Sequence, residues 1–152
     1  MKYIEYIAFR AIKALLSILP FKLLYALSDV CSYLLQYIIQ YRLLTINKNL
    51  IWSFPIKSRR RLSQITRQYY KYLCDVFFES IKGYSLSTKE LQKRYKCLNP
   101  EITLPYFENG QNIIIALSHY GNWEWGTQVA SSAYKHDVAT FYKPMSNKYI
   151  DA

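Results

Sequence analysis

Two side chains in the last third of the chain have the types and spacing that acid–base chemistry needs: His119 and, five positions later, Glu124. An imidazole accepts a proton near neutral pH. A carboxylate beside it fixes the ring tautomer and stabilises the cation that proton abstraction creates. No serine or cysteine stands between them, so the pair reads as a base and its orienter. Gly121 takes a side chain away from the spot, and Asn122 is a good N-cap for a helix opening at Trp123. A helix start supplies amide N–H groups that can hold an oxyanion, and it disfavours a nearby imidazolium. On these residues alone a hydrogen-bonded structural histidine is the commoner explanation, and Trp123 and Trp125 read more economically as packing. Metal ligation is the poorest reading. There is no HExxH, His136 lies at the far end of the helix, and Cys31, Cys74 and Cys97 are odd in number and widely spaced.

The elements that must position this pair follow from local pattern. Asn112–Ser118 is a short apolar run rich in isoleucine and is expected to be a buried strand. His119 to Gly121 is then a loop, residues 123–134 a helix, Val138–Tyr142 a second buried strand, and Pro144–Asn147 the loop after it. Strand–helix–strand with a right-handed crossover makes two parallel strands, whose ends are where such folds place their sites. Upstream, helices are expected over about 3–19, 21–40 and 43–52. Ser58 caps a long helix through about Ile81, with Gly83 at its end. Ser87 to Glu90 has the S-x-x-E form of a capping box and opens a short helix to about Arg94. A short strand over Tyr95–Leu98 is expected next, and Asn99-Pro100 starts a helix to Glu108, closed by Asn109-Gly110. The expected class is α/β: a helical, membrane-associated N-terminal segment, then the start of a parallel or mixed sheet with flanking helices. The division is residues 1–44 and residues 45–152.

Composition bounds what this architecture serves. The chain has 152 residues, 51% of them hydrophobic and 17% aromatic, which excludes a disordered chain. Its net charge of +10 lies wholly in residues 1–74, which hold twelve Lys or Arg and two acids; residues 75–152 are neutral. A basic, greasy half suits a membrane surface, with apolar side chains in the interface and cations on anionic head groups. It suits nucleic acid less well, because the cations interrupt long Leu, Ile and Tyr segments and no recognised binding motif is present. The longest uncharged run near the N-terminus, Val30–Tyr41, has twelve residues, short of the ~18–20 of a clean span. At 100° per residue, Lys2, Glu5, Arg10, Lys13 and Ser17 share an arc of roughly 140°. Ile4, Ile7, Ala11, Ala14, Leu15 and Ile18 share the opposite face. That is an amphipathic helix suited to lying in the interface, although two core helices of a soluble bundle would show the same pattern. Arg59, Arg60, Arg61 and Arg67 load the first half of the long helix, against its dipole, and hint at an anionic partner. A merely solvated face explains them as well.

The block Ser118-His119-Tyr120-Gly121-Asn122-Trp123-Glu124-Trp125 resembles the His-x4-Asp/Glu signature of the lysophospholipid-acyltransferase superfamily. It is most similar to the H-[FY]-G-N-W-E form found in bacterial lipid A biosynthesis acyltransferases of the lauroyl/myristoyl (HtrB) type. Asn47-Lys48-Asn49-Leu50 with Phe54-Pro55 resembles the same family's NL…FP segment, and Tyr142-Lys143-Pro144 through Asn147 to Asp151 resembles a later block. The resemblance implies transfer of an acyl chain from an acyl carrier protein thioester to a hydroxyl of a lipid A precursor. It places this at the cytoplasmic face of the bacterial inner membrane. His119 would be the general base and Glu124 its orienter. Gly121, Asn122, Trp123, Tyr142 and Lys143 would bind substrate, and no metal or organic cofactor would be needed. Arg59, Arg60, Arg61 and Arg67, or the Lys93–Lys96 cluster, would meet the acidic carrier protein or the glycolipid phosphates. The family's later strands and Arg-containing block have no counterpart here. On this reading the chain is an N-terminal half, poorly soluble and scarcely active alone. Another lipid acceptor, or a non-catalytic basic membrane-binding module, are the competing functions.

Overall fold

The polar side chains that join Phe21–Tyr33 (α2) to Arg59–Gly83 (α4) set the architecture of the middle of the chain. In this computed structural model, which describes residues 2–141, 143, 144, 146, 147 and 149, Tyr25 donates to Glu79 at 2.6 Å and Ser28 to Asp75 at 2.6 Å. Lys71 pairs with Asp29 at 2.6 Å. Partners descend along α4 as they ascend along α2, so the helices are antiparallel. Leu24, Ser28, Tyr70 and Cys74 are buried among them. After Tyr33 the helix widens into a π-helical turn, Leu34–Ile38, that brings Gln36 inward. Gln40 and Arg42 follow with φ of 53° and 54° and redirect the chain into α3, Leu43–Ser53. Tyr70 donates to the Tyr41 carbonyl at 2.6 Å and Thr66 to Asn47 Oδ1 at 3.1 Å, tying this bend and α3 to α4. These elements form one compact unit, Leu19–Glu79.

The second unit joins Met1–Ile18 to Ser80–Ala152. Its first helix, α1, is Lys2–Ile18. Lys82, buried at the end of α4, donates to the carbonyls of Leu16 and Ser17 and so supplies donors that α1 lacks at its own C-terminus. Burial pushes its ammonium towards the neutral form. Ser87 caps α5, Thr88–Arg94, with the complete capping box that its sequence announces. A 3-10 turn, Pro100–Thr103, leads into the short α6, Leu104–Glu108. Asn122 opens α7, Trp123–Ala133. Leu16, Ile81, Leu91, Trp125 and Val129 are the buried apolar side chains here. Gly126 lets α7 approach Tyr95: a Cβ at that position would stand 2.7 Å from the Tyr95 hydroxyl.

The α/β expectation is overturned. The structure is 68% helical, and the described residues contain no strand. Tyr95–Leu98, Asn112–Ser118 and the described part of Val138–Tyr142 are irregular; Tyr142 itself lies outside the described residues. A strand exists only when a neighbour takes its N–H and C=O groups, and no ladder forms among the described residues. Ile114 is 98% and Leu117 66% exposed, so the isoleucine run carries strand propensity without a partner. Helix boundaries agree with the sequence to within a few residues, except that the helix expected over 21–40 is α2 plus the π-helical turn and the one expected to run to Glu108 is a 3-10 turn plus the short α6. No described helix is long and apolar enough to cross a membrane. Ile4, Ile7, Ala11, Ala14, Leu15 and Ile18, the expected apolar face of α1, are all exposed.

Candidate active site at the start of helix α7

The site grows from how α7 begins. Asn122 accepts a hydrogen bond from the Trp125 amide at 3.4 Å through its side chain, satisfying one of the four N–H groups that a helix start leaves without an internal partner. Gly121 precedes it with φ of +65°, in the left-handed region that an L side chain disfavours. Tyr120 N–H donates to the Ser118 carbonyl at 2.8 Å, so His119 is the centre of a three-residue turn. The turn and the glycine together present His119 to solvent just ahead of the helix. Its ring stands edge-on to Trp123, with centroids 4.6 Å apart and planes at 64°. That contact holds the imidazole over the first turn of α7.

Glu124 lies in that same first turn, half-buried. Its backbone carbonyl accepts from Thr127 at 2.8 Å. Its carboxylate and the His119 imidazole share this helix end, but no hydrogen bond joins them. Gly121, Asn122 and Trp123 are therefore gathered with His119. Lys143 is exposed and makes no hydrogen bond or ion pair with His119 or Glu124, and Tyr142 lies outside the described residues. Trp125 is buried packing, as its place in the pattern suggested, whereas Trp123 also carries the histidine ring. Asn147, in the later block of the resemblance, is 6% exposed and donates to the Lys2 carbonyl at 2.8 Å and to Glu5 at 3.1 Å. That residue clamps α1. Among the described residues no group of three His, Cys, Asp or Glu side chains is placed to hold a metal ion.

The four arginines of α4 do not line one cleft. Arg59 lines a cleft with Lys57, between α3 and the start of α4. Arg61 and Arg67 line a second cleft beside the Asp29–Lys71 pair. Arg60 is exposed and lines neither. Gln36 borders both clefts, and nothing in its sequence context distinguishes it. Asn47, Phe54 and Pro55 of the first cleft do belong to a segment that stands out in the sequence.

The comparison with known families decides what this arrangement belongs to. A family model described as bacterial lipid A biosynthesis acyltransferase matches residues 1–152. This chain belongs to the bacterial lipid A biosynthesis acyltransferase family. No curated protein and no solved structure matches it. For a lipid A biosynthesis acyltransferase the reaction class is acyl transfer, with an acyl donor and a lipid acceptor in general terms.

Proposed function

We propose that this protein moves a fatty acyl chain from an acyl carrier protein thioester to a hydroxyl of a lipid A precursor, with His119 as general base. His119 takes the hydroxyl proton, and the oxygen attacks the thioester carbonyl. The N–H groups at the start of α7 stabilise the tetrahedral oxyanion. The C–S bond then breaks, and the imidazolium returns its proton to the departing thiolate, so charge and protons balance. Glu124 is a positioning residue that meets the imidazolium as it forms. Gly121, Asn122 and Trp123 hold substrate around this point, and Tyr142 and Lys143 are assigned to substrate binding by the family resemblance alone. The observation that carries the reading is the exposed His119 held edge-on over Trp123 immediately before the Asn122-capped helix.

Residues 1–44 serve as the membrane-associated segment and residues 45–152 as the acyltransferase part. The exposed apolar face of α1, together with exposed Leu23, Leu27, Val30 and Leu34 on α2 and the turn after it, supports an interfacial position at the cytoplasmic face of the inner membrane. Arg59, Arg60, Arg61 and Arg67 supply the positive field that attracts an acidic carrier protein or anionic glycolipid.

The test is acyl transfer by the full chain, with acyl carrier protein thioester as donor and a lipid A precursor or a lysophospholipid as acceptor. His119→Ala is expected to lower kcat by about 10²–10⁴. Glu124→Gln is expected to shift the pH–rate profile, and Glu124→Asp to restore part of it. Unchanged turnover in His119→Ala would remove the mechanism; transfer to the lysophospholipid alone would remove the acceptor.

A further inference from the structure

Helix α1 sits on its unit with its faces reversed for a helix in water. Its buried and half-buried residues are Tyr6, Phe9, Lys13, Leu16 and Ser17, which share an arc of roughly 100°. Only Leu16 among them is fully buried. The apolar stripe of Ile4, Ile7, Ala11, Ala14, Leu15 and Ile18 lies on the opposite face, in solvent. An amphipathic helix of a globular unit turns that stripe to the core. Something other than apolar burial therefore holds α1 in place.

Polar bonds hold it, at both ends. At the first turn, Asn147 Nδ2 donates to the Lys2 carbonyl at 2.8 Å and to Glu5 Oε2 at 3.1 Å, and Lys2 Nζ donates to the Ser146 carbonyl at 2.9 Å. The oxygen of the Asn147 amide accepts the Tyr149 N–H at 3.1 Å. At the last turn, Lys82 donates to the carbonyls of Leu16 and Ser17. Between the two ties, Lys13 Nζ stands 5.4 Å from the centre of the Tyr84 ring. Asn147 and Lys82 are both buried, so water competes little for these bonds.

The tie at the last turn leads to the candidate site. Gly83, next to Lys82, packs so closely on α7 that a Cβ there would stand 2.7 Å from Trp125 Nε1. The Trp125 amide is the one that Asn122 caps, and the His119 turn directly precedes that cap. A helix that only anchors a chain to a bilayer needs one loose joint. A helix tied at both ends, with one tie abutting α7, transmits its orientation to the His119 turn.

We infer that Asn147 and Lys82 are positioning residues that lock α1 to the start of α7, so that the apolar stripe, resting on a bilayer, sets the depth at which His119 meets a lipid-borne hydroxyl. The inference rests on the acyl-transfer reading and adds how the site finds its height at the membrane. That height matters because a misplacement of about 1 Å costs such a reaction as much as ~10²-fold.

Depth-dependent fluorescence quenching tests it without any turnover. The full chain carrying Trp52→Phe keeps Trp123 and Trp125, both in the first turn of α7. Trp52 is exposed, so its replacement leaves packing intact. The protein is bound to vesicles of phosphatidylglycerol and phosphatidylcholine, the latter brominated at set acyl positions. One sharp depth maximum is expected. Asn147→Asp, which sets a carboxylate against Glu5, should broaden or shift that maximum with vesicle flotation unchanged, and so should Lys82→Met. In Asn147→Asp/Glu5→Gln the carboxylate and the amide exchange places, and the maximum should return towards its original depth. Lys2→Ala removes only an exposed bond, so it folds like the parent and should give a smaller shift of the same sense even if the buried variants fold poorly. His119→Ala should stop acyl transfer and leave the depth unchanged, which separates failure of this inference from failure of the mechanism. An unchanged maximum in Asn147→Asp, Lys82→Met and Lys2→Ala overturns the inference. So does a parent protein without quenching, a double variant without recovery, or a shift seen only together with lost flotation.

Discussion

At the scale of single residues, Gly121 and Lys82 each hold a demanding position in their unit. Gly121 has φ of +65°, and nothing lies within 4 Å of where a Cβ would stand, so the cost of a side chain there is conformational and not steric crowding. Gly121→Ala is expected to destabilise by about 1–2 kcal/mol. It should also move His119 off Trp123, readable as a lower denaturation midpoint and a changed Trp emission. Lys82 ends in two carbonyls at the C-terminus of α1. Lys82→Ala leaves those acceptors buried without donors and should cost about 1–3 kcal/mol. Hydrogen exchange at the last turn of α1 is the measurement that sees it first. The role of Lys82 was not visible in the sequence. His119, Gly121 and Asn122 were, because a short turn and a helix cap depend on adjacent residues only. The bond expected between Glu124 and His119 depended on side-chain rotamers, which spacing does not specify.

At the scale of elements, helix starts are where sequence and structure agree most closely. The Ser87–Glu90 box forms in full, with Ser87 N–H donating to Glu90 at 3.1 Å. Ser87→Ala is expected to cost about 1 kcal/mol. That backbone hydrogen bond holds the Glu90 carboxyl below the usual carboxylate range. Its stabilising effect is therefore complete above the ordinary carboxylate value and is lost as pH falls through the lowered one. Circular dichroism of the wild type and Ser87→Ala in acid should converge. Tyr70 works in the opposite direction along α4. Burial raises its phenol above the ordinary 10.0, so the neutral form belongs to the fold. Stability is then unaffected below pH 10.0 and falls as pH rises from there through the raised value. Tyr70→Phe loses the bond to the Tyr41 carbonyl, worth about 1 kcal/mol near neutrality. It should show a flatter decline in alkaline unfolding.

For the whole molecule, the unusual feature is how much apolar helix surface stays in water. Ile4 is 71% and Ile18 78% exposed on α1, and Val30 57% on α2. Those faces stabilise neither unit, so Ile7→Asp/Leu15→Asp should keep the thermal midpoint near that of wild type. It should abolish most binding to anionic vesicles in a flotation assay. Added salt should weaken wild-type vesicle binding but not eliminate it, because screening acts on the cations and not on the apolar stripe.

The sequence by itself determined the helices, their caps, the segregation of charge and the His119 turn. Each arises from residues at most one helical turn apart, where backbone bonds close on themselves. Tertiary structure alone decided that the isoleucine run 113–115 has no ladder among the described residues, since a strand's partners lie far along the chain. It also decided that Gln36 faces Asn47, Lys57 and Arg59 across one cleft. A π-helical turn and two left-handed residues place that amide, and packing against α4 keeps it there.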